Sequence, residues 1–249
     1  MFKRPTKWCA MLLATVALTG MIGCGGGDTG STNDSPSVNI TRSTEATFSE
    51  SARILAAREA AANGATWLNA DSARAFDAEL SVVRRSFPQV NDITALSEYD
   101  LRTVLVAVQF GTSWIPNWET GNVTTGEEAL DNLLREFAPE EIQSLGNPIK
   151  SRPAYFQLRF GQSLNMVKLA ERLKAASLNV VVADPNYTAG DGNNIKRMSG
   201  SGGGSHRYVF SRGSGDCPAG CINRYAYEFA MSQDGKTATL IKEEDQSVP

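Results

Sequence analysis

Between residues 103 and 183 the apolar period of the chain switches between two and 3.6 in a fixed order, and few architectures accept that order. Residues 103–110 read as a strand apolar on both faces, as a central strand requires. A loop carrying Trp114, Pro116 and Trp118 follows. Thr125, Gly126, Glu127 and Glu128 then read as a capping box, its hydroxyl and carboxylate meeting free backbone N–H groups. Leu130, Leu133, Leu134 and Phe137 recur at helical spacing, and Pro139 stops that helix. Residues 141–145 form a short candidate strand. Residues 155–160 alternate strictly, with Phe156, Leu158 and Phe160 inward. Met166, Leu169, Ala170 and Leu173 mark a second amphipathic helix, and residues 179–183 a last strand ended by Pro185.

The order β-α-β-β-α-β is that of a ferredoxin-like unit. Right-handed crossovers place both helices on one face of an antiparallel sheet. The opposite face then carries Leu105, Ala107, Tyr155, Gln157 and Arg159. Two helices upstream are expected to cover it, with a protein partner as the alternative. The first spans about 46–63, is alanine-rich, and stops at Asn63-Gly64. The second spans 71–85, with Ala75, Phe76, Leu80 and Val83 on one face, and ends before Phe87-Pro88.

Within this region, Tyr155 to Phe160, the helix to Ala176, and Val180-Val181-Val182-Ala183-Asp184-Pro185-Asn186-Tyr187 resemble the end of subtilisin-type propeptides. Asp184 stands where that family usually has Glu. The resemblance covers about residues 100–190. It implies a ferredoxin-like fold and a domain that binds a protease through its open sheet face and its C-terminal tail. It carries over no catalytic residue. No protease domain is expected in cis, because about 60 residues with a single histidine follow.

The first residues carry Lys3, Arg4 and Lys7 with no acid, then an apolar run from Cys9 to Leu18. These are the n- and h-regions of a secretory signal, too short to span a bilayer comfortably. Met21-Ile22-Gly23-Cys24 resembles the lipobox of bacterial lipoproteins, although Met21 stands where Leu is commonest. The resemblance implies cleavage before Cys24, lipidation of Cys24 and attachment to a membrane of the cell envelope. Gly25 after the cysteine is compatible with the outer membrane. Residues 25–44 are Gly, Ser, Thr, Asn and Asp, the composition of a flexible tether.

Loss of Lys3, Arg4 and Lys7 would leave 21 basic against 27 acidic residues, moving the net charge from −3 to −6. An acidic chain without a basic stripe excludes a nucleic-acid binder. One histidine excludes multi-His metal sites and most His-based catalysis.

Gly, Ser and Asn dominate residues 190–205, which read as a flexible connector. Beyond it, residues 207–211, 222–231 and 237–241 alternate, with an Asp234-Gly235 turn, and predict a three-stranded meander. Between its first two strands lie Cys217 and Cys221, the cysteines left once Cys9 and Cys24 are assigned to signal and lipid. A disulfide is the expected state in an exported protein. A zinc site from His206, Asp216, Cys217 and Cys221, or a redox dithiol, is the sharper alternative. Trp114 and Trp118 are expected to pack over the sheet edge rather than stack a ligand. The pairs Glu127-Glu128 and Glu140-Glu141 are expected to cap or to be solvated.

The chain therefore reads as α+β: a ferredoxin-like βαββαβ core with N-terminal helices and a C-terminal disulfide-closed three-stranded β-meander. The expected divisions are signal peptide 1–23, lipid anchor and tether 24–45, helices 46–98, core 99–190, linker 191–205 and meander 206–249. The expected function is that of a non-enzymatic membrane-anchored envelope lipoprotein acting as a protein-interaction module. No cofactor, metal or nucleic acid is expected. The alternative is a trans-acting inhibitor or chaperone of a subtilisin-like protease.

Overall fold

Ser49 starts the first helix. Its hydroxyl accepts from the Ala52 N–H, and α1 runs Glu50–Ala62. Asn69 does the same for α2, Ala70–Ser86, accepting from the Asp71 and Ser72 N–H groups. A single 3-10 turn at Pro88–Val90 leads on to β1, Tyr99–Val108. The computed structural model describes residues 47–146, 152–199 and 206–246. Cys24 and the expected signal, anchor and tether lie outside them. The described residues belong to one compact unit, Thr41–Pro249.

After β1 come α3, Ile115–Glu119, and α4, Glu128–Phe137. Then follow β2, Pro139–Gly146; β3, Ala154–Phe160; α5, Met166–Ala176; and β4, Val180–Tyr187. These four strands make an antiparallel sheet in the order β2-β3-β1-β4. The alternation of β3 buries Phe156, Leu158 and Phe160 completely. They meet Leu130, Leu134 and Phe137 of α4 and Leu169 and Leu173 of α5 in one core.

The second sheet is built from β5, Asn194–Ser199; β6, His206–Ser214; β7, Asn223–Met231; and β8, Ala238–Asp245. Its order is β5-β6-β7-β8, antiparallel throughout. The three-stranded meander is thus corrected to four strands, and the expected connector over 191–205 contains β5. Pairing with β6 and burial of the Ile195 side chain supply what local composition lacks.

Three further expectations change. Pro185 does not end β4. It pairs with Val104, and β4 is an edge strand, where a missing N–H is tolerated. The Trp114 loop is instead the short helix α3. The N-terminal helices do not cover the first sheet. Ala52, Leu55 and Ala56 of α1 and Phe76, Leu80 and Val83 of α2 share a second core with Ile195, Tyr208, Phe210 and Phe229. Each sheet therefore has helices on one face. Leu101 of β1 packs against both cores.

Candidate functional site

Period two in β1, β3 and β4 sends alternate residues away from α4 and α5. Register aligns them across the first sheet. Ala107 lies between Tyr155 and Val182, Leu105 between Gln157 and Asp184, and Arg159 between Thr103 and Glu141. Tyr155 is 44% exposed and Val182 42% exposed, although both are large and apolar for solvent-facing strand positions. Leu105 is half-buried and Ala107 is buried between its neighbours. The face is thus apolar at the Tyr155–Ala107–Val182 row and charged at the Glu141–Arg159 end.

The outer face of the second sheet is different. Lys196, Val209, Glu228 and Lys242 align there, Arg207 pairs with Glu228 at 2.9 Å, and Lys242 pairs with Glu244. That is an ordinary solvated sheet face. Among the described residues neither of these two faces is covered by a helix, and the first sheet's carries the Tyr155–Ala107–Val182 row.

The cysteine pair stands where the sequence puts it. Cys217 and Cys221 are disulfide-bonded. Their loop is anchored on Asp191, whose carboxylate accepts from Gly192 N at 2.7 Å, from Cys221 N at 3.3 Å and, through both of its oxygens, from Arg224 Nη2 at 2.6–2.7 Å. Arg224 holds the Asp191 carboxyl below the usual carboxylate range. Cys217 O accepts from Asp191 N at 2.8 Å. Gly213 is required here, because a Cβ would lie 2.7 Å from Gly192 O and closer still to Cys221 Sγ.

The zinc alternative loses its geometry. The sulfurs are bonded to one another, and His206 begins β6 while the hairpin leaves its far end. Nine residues of strand separate them by roughly 26 Å. Among the described residues, no group of three or more His, Cys, Asp or Glu is placed to hold a metal. His206 Nε2 lies 2.9 Å from Glu79 Oε2 on α2. The same oxygen accepts from the Tyr208 hydroxyl at 2.6 Å. Burial, reinforced by that bond to Glu79, pushes the Tyr208 hydroxyl up. This cluster ties α2 to the second sheet.

Trp114 and Trp118 are 3% and 0% exposed, so neither offers a stacking face. Trp118 stands edge-on to Phe156, with centroids 5.3 Å apart. The expected capping box at Thr125 is replaced by another arrangement. Glu127 is the N-cap residue of α4, without a side-chain capping bond. Asp131 reaches back to accept from Thr125 N, Thr125 Oγ1 and Gly126 N at 2.7–3.0 Å. Glu127 Oε1 accepts from the Trp114 indole N–H and from Asn179 Nδ2, each at 2.7 Å. Burial alone would raise the Glu127 carboxyl. Hydrogen bonds from Ser177, Trp114 and Asn179 outweigh it and hold the group below its usual value. Nothing in the local sequence signals this carboxylate's role, because its partners lie 13 and 52 residues away.

Among the described residues, no helix is long and apolar enough to cross a membrane. Comparisons of the chain with protein-family models, with curated proteins and with solved structures found no match.

Proposed function

We propose that this chain is a lipid-anchored lipoprotein of the bacterial envelope whose first sheet is a protein-binding module, without enzymatic activity. The observation that carries the reading is that exposed Tyr155 and Val182, on either side of buried Ala107, form a row that no described helix covers, beside a charged end at Glu141 and Arg159. An apolar strip edged by charge is the anatomy of a protein interface rather than of a reaction centre. The element order and the strand order β2-β3-β1-β4 support the ferredoxin-like reading of this half. Anchoring rests on Met21 to Cys24, outside the described residues. Two or more acyl chains at Cys24 would hold the chain stably on a membrane.

Two measurements test the two halves of the proposal. Cells fed an alkyne fatty acid should label the parent chain, and Cys24→Ser should lose that label; equal labelling of both rejects the anchor. A photo-crosslinking residue at Val182 should capture a discrete partner that the same residue at Lys242, on the second sheet, does not. Equal patterns from both positions, or none from either, reject the interface.

The resemblance of residues 180–187 to a subtilisin propeptide favours one particular partner, a subtilisin-like protease. Binding would have to use the sheet face. The chain beyond β4 is tied back, with Thr188 N–H donating to Glu98 O at 3.0 Å and Asp191 held by Arg224. Slowing of a subtilisin at nanomolar concentrations of the purified chain supports this partner, and no effect at high micromolar rejects it.

A further inference from the structure

A cavity of about 320 Å³ opens where the two cores meet. It lies between α1, the segment leading into β1 and the first turns of α5. That volume falls at the small end of ligand sites, roughly 300–1,000 Å³, and boundaries between packed units are where such sites concentrate. Its floor is apolar: Ile54 and Ala57 from α1, and Leu101, which touches both cores.

The rim carries charge of both signs. Arg58 is half-buried, and its guanidinium donates to neutral oxygens: Ile195 O at 2.6 Å, Leu96 O at 2.5 Å and Asn194 Oδ1 at 3.0 Å. Neutral acceptors hold the group in place without cancelling its charge. Glu98 is exposed on the same rim and close enough to act on Arg58 electrostatically. Lys168 and Glu171 also line the cavity but pair with each other at 2.8 Å. The first turn of α5 borders it as well; Asn165 Oδ1 caps its Lys168 N–H at 3.3 Å, so what the turn adds is the positive end of the helix.

A simple anion drawn to Arg58 meets Glu98. A simple cation drawn to Glu98 meets Arg58 and the positive end of α5. A molecule with one charge of each sign and an apolar side chain meets no such conflict. We infer that this cavity binds a small apolar zwitterion, of the class of a free apolar amino acid or dipeptide. The carboxylate faces Arg58 and the start of α5, the ammonium faces Glu98, and the side chain covers Ile54, Ala57 and Leu101. The inference is independent of the sheet-face interface, which lies on a different surface.

Calorimetric titration of the full chain tests it with three probes: leucyl-leucine, its N-acetyl derivative and its C-terminal amide. The free dipeptide should saturate, and each blocked form, lacking one charge, should bind at least about tenfold more weakly. Glu98→Gln should erase the penalty for N-acetylation while keeping the penalty for amidation. Glu98 is exposed, so this variant folds like the parent. Ala61→Trp, at an exposed position on the cavity wall, should abolish binding. Equal affinity of all three probes overturns the inference, as does no saturation by any of them. Parent-like binding by the Ala61→Trp variant overturns it too, because the dipeptide then sits elsewhere.

Discussion

Ala138 ends α4 in the left-handed region, with φ of 45°, although it has a side chain. The turn reverses the chain into Pro139 and β2 within one residue. Left-handed backbone costs a non-glycine residue roughly 1–2 kcal/mol. Glycine would remove that cost but add freedom to the unfolded chain, about 0.4–1 kcal/mol in the opposite direction. Ala138 is exposed, so no packing is lost. Ala138→Gly should therefore stabilise the protein by about 0.5–1 kcal/mol, read as a raised urea midpoint with an unchanged slope. Glu127 makes the opposite kind of prediction. Its carboxyl is held below the ordinary value of 4.5, so its ionised form favours the folded state. That contribution is complete above about pH 4.5 and fades as the pH falls through the lower folded value. Glu127→Gln keeps an acceptor for Ser177, Trp114 and Asn179 but makes these bonds neutral. It should cost about 0.5–1.5 kcal/mol at pH 7. The gap between parent and variant should narrow as thermal melts are repeated from pH 5 down to pH 3. A gap that stays constant over that range would mean the charge contributes nothing.

At the scale of elements, the strands of the first sheet were legible because their signal is local. Phe156, Leu158 and Phe160 alternate, and all three are fully buried. The helices α4 and α5 were legible for the same reason. β5 was not, because Ile195, which is fully buried, is set among polar and glycine neighbours, and only pairing with β6 makes it a strand. The cysteine hairpin could be read from its spacing. The Asp191–Arg224 clamp beneath it could not, because those residues are 33 apart and meet only in the fold. β5 gives a direct test of its status. Ile195→Ala should cost about 2–4 kcal/mol if the side chain fills the second core, whereas Lys196→Gln, on the outer face, should stay within about 0.5 kcal/mol. Chemical denaturation of the two variants separates a strand from a flexible connector, for which both changes would be neutral.

At the scale of the whole molecule, amphipathic periodicity tells which face of a helix is buried but not which surface buries it. Both readings of α1 and α2 satisfied the same pattern, and only tertiary contact assigns them to the second sheet. The assignment has a mechanical consequence. The first core draws its buried members from Tyr99 to Ala183, with Trp67 as a partly buried addition stacked 4.8 Å from Phe137. The second core needs Leu55, Phe76 and Leu80 to cover Tyr208, Phe210 and Phe229. A four-stranded sheet stripped of its helices leaves a contiguous apolar face in water, which a marginal sheet does not survive. Deleting residues 47–98 should therefore collapse protection in β6 and β7 and create strong binding of a hydrophobic dye. β1 and β3 should keep slow amide exchange, weakened by the loss of Trp67 and of the bonds that Asn165 donates to Ala65 O and Thr66 O. Hydrogen exchange followed by peptide mass analysis reads each strand separately. The arrangement would be wrong if β1 and β3 lost protection first while β6 and β7 kept theirs, because the deleted helices would then have been covering the face of Leu105, Tyr155 and Val182.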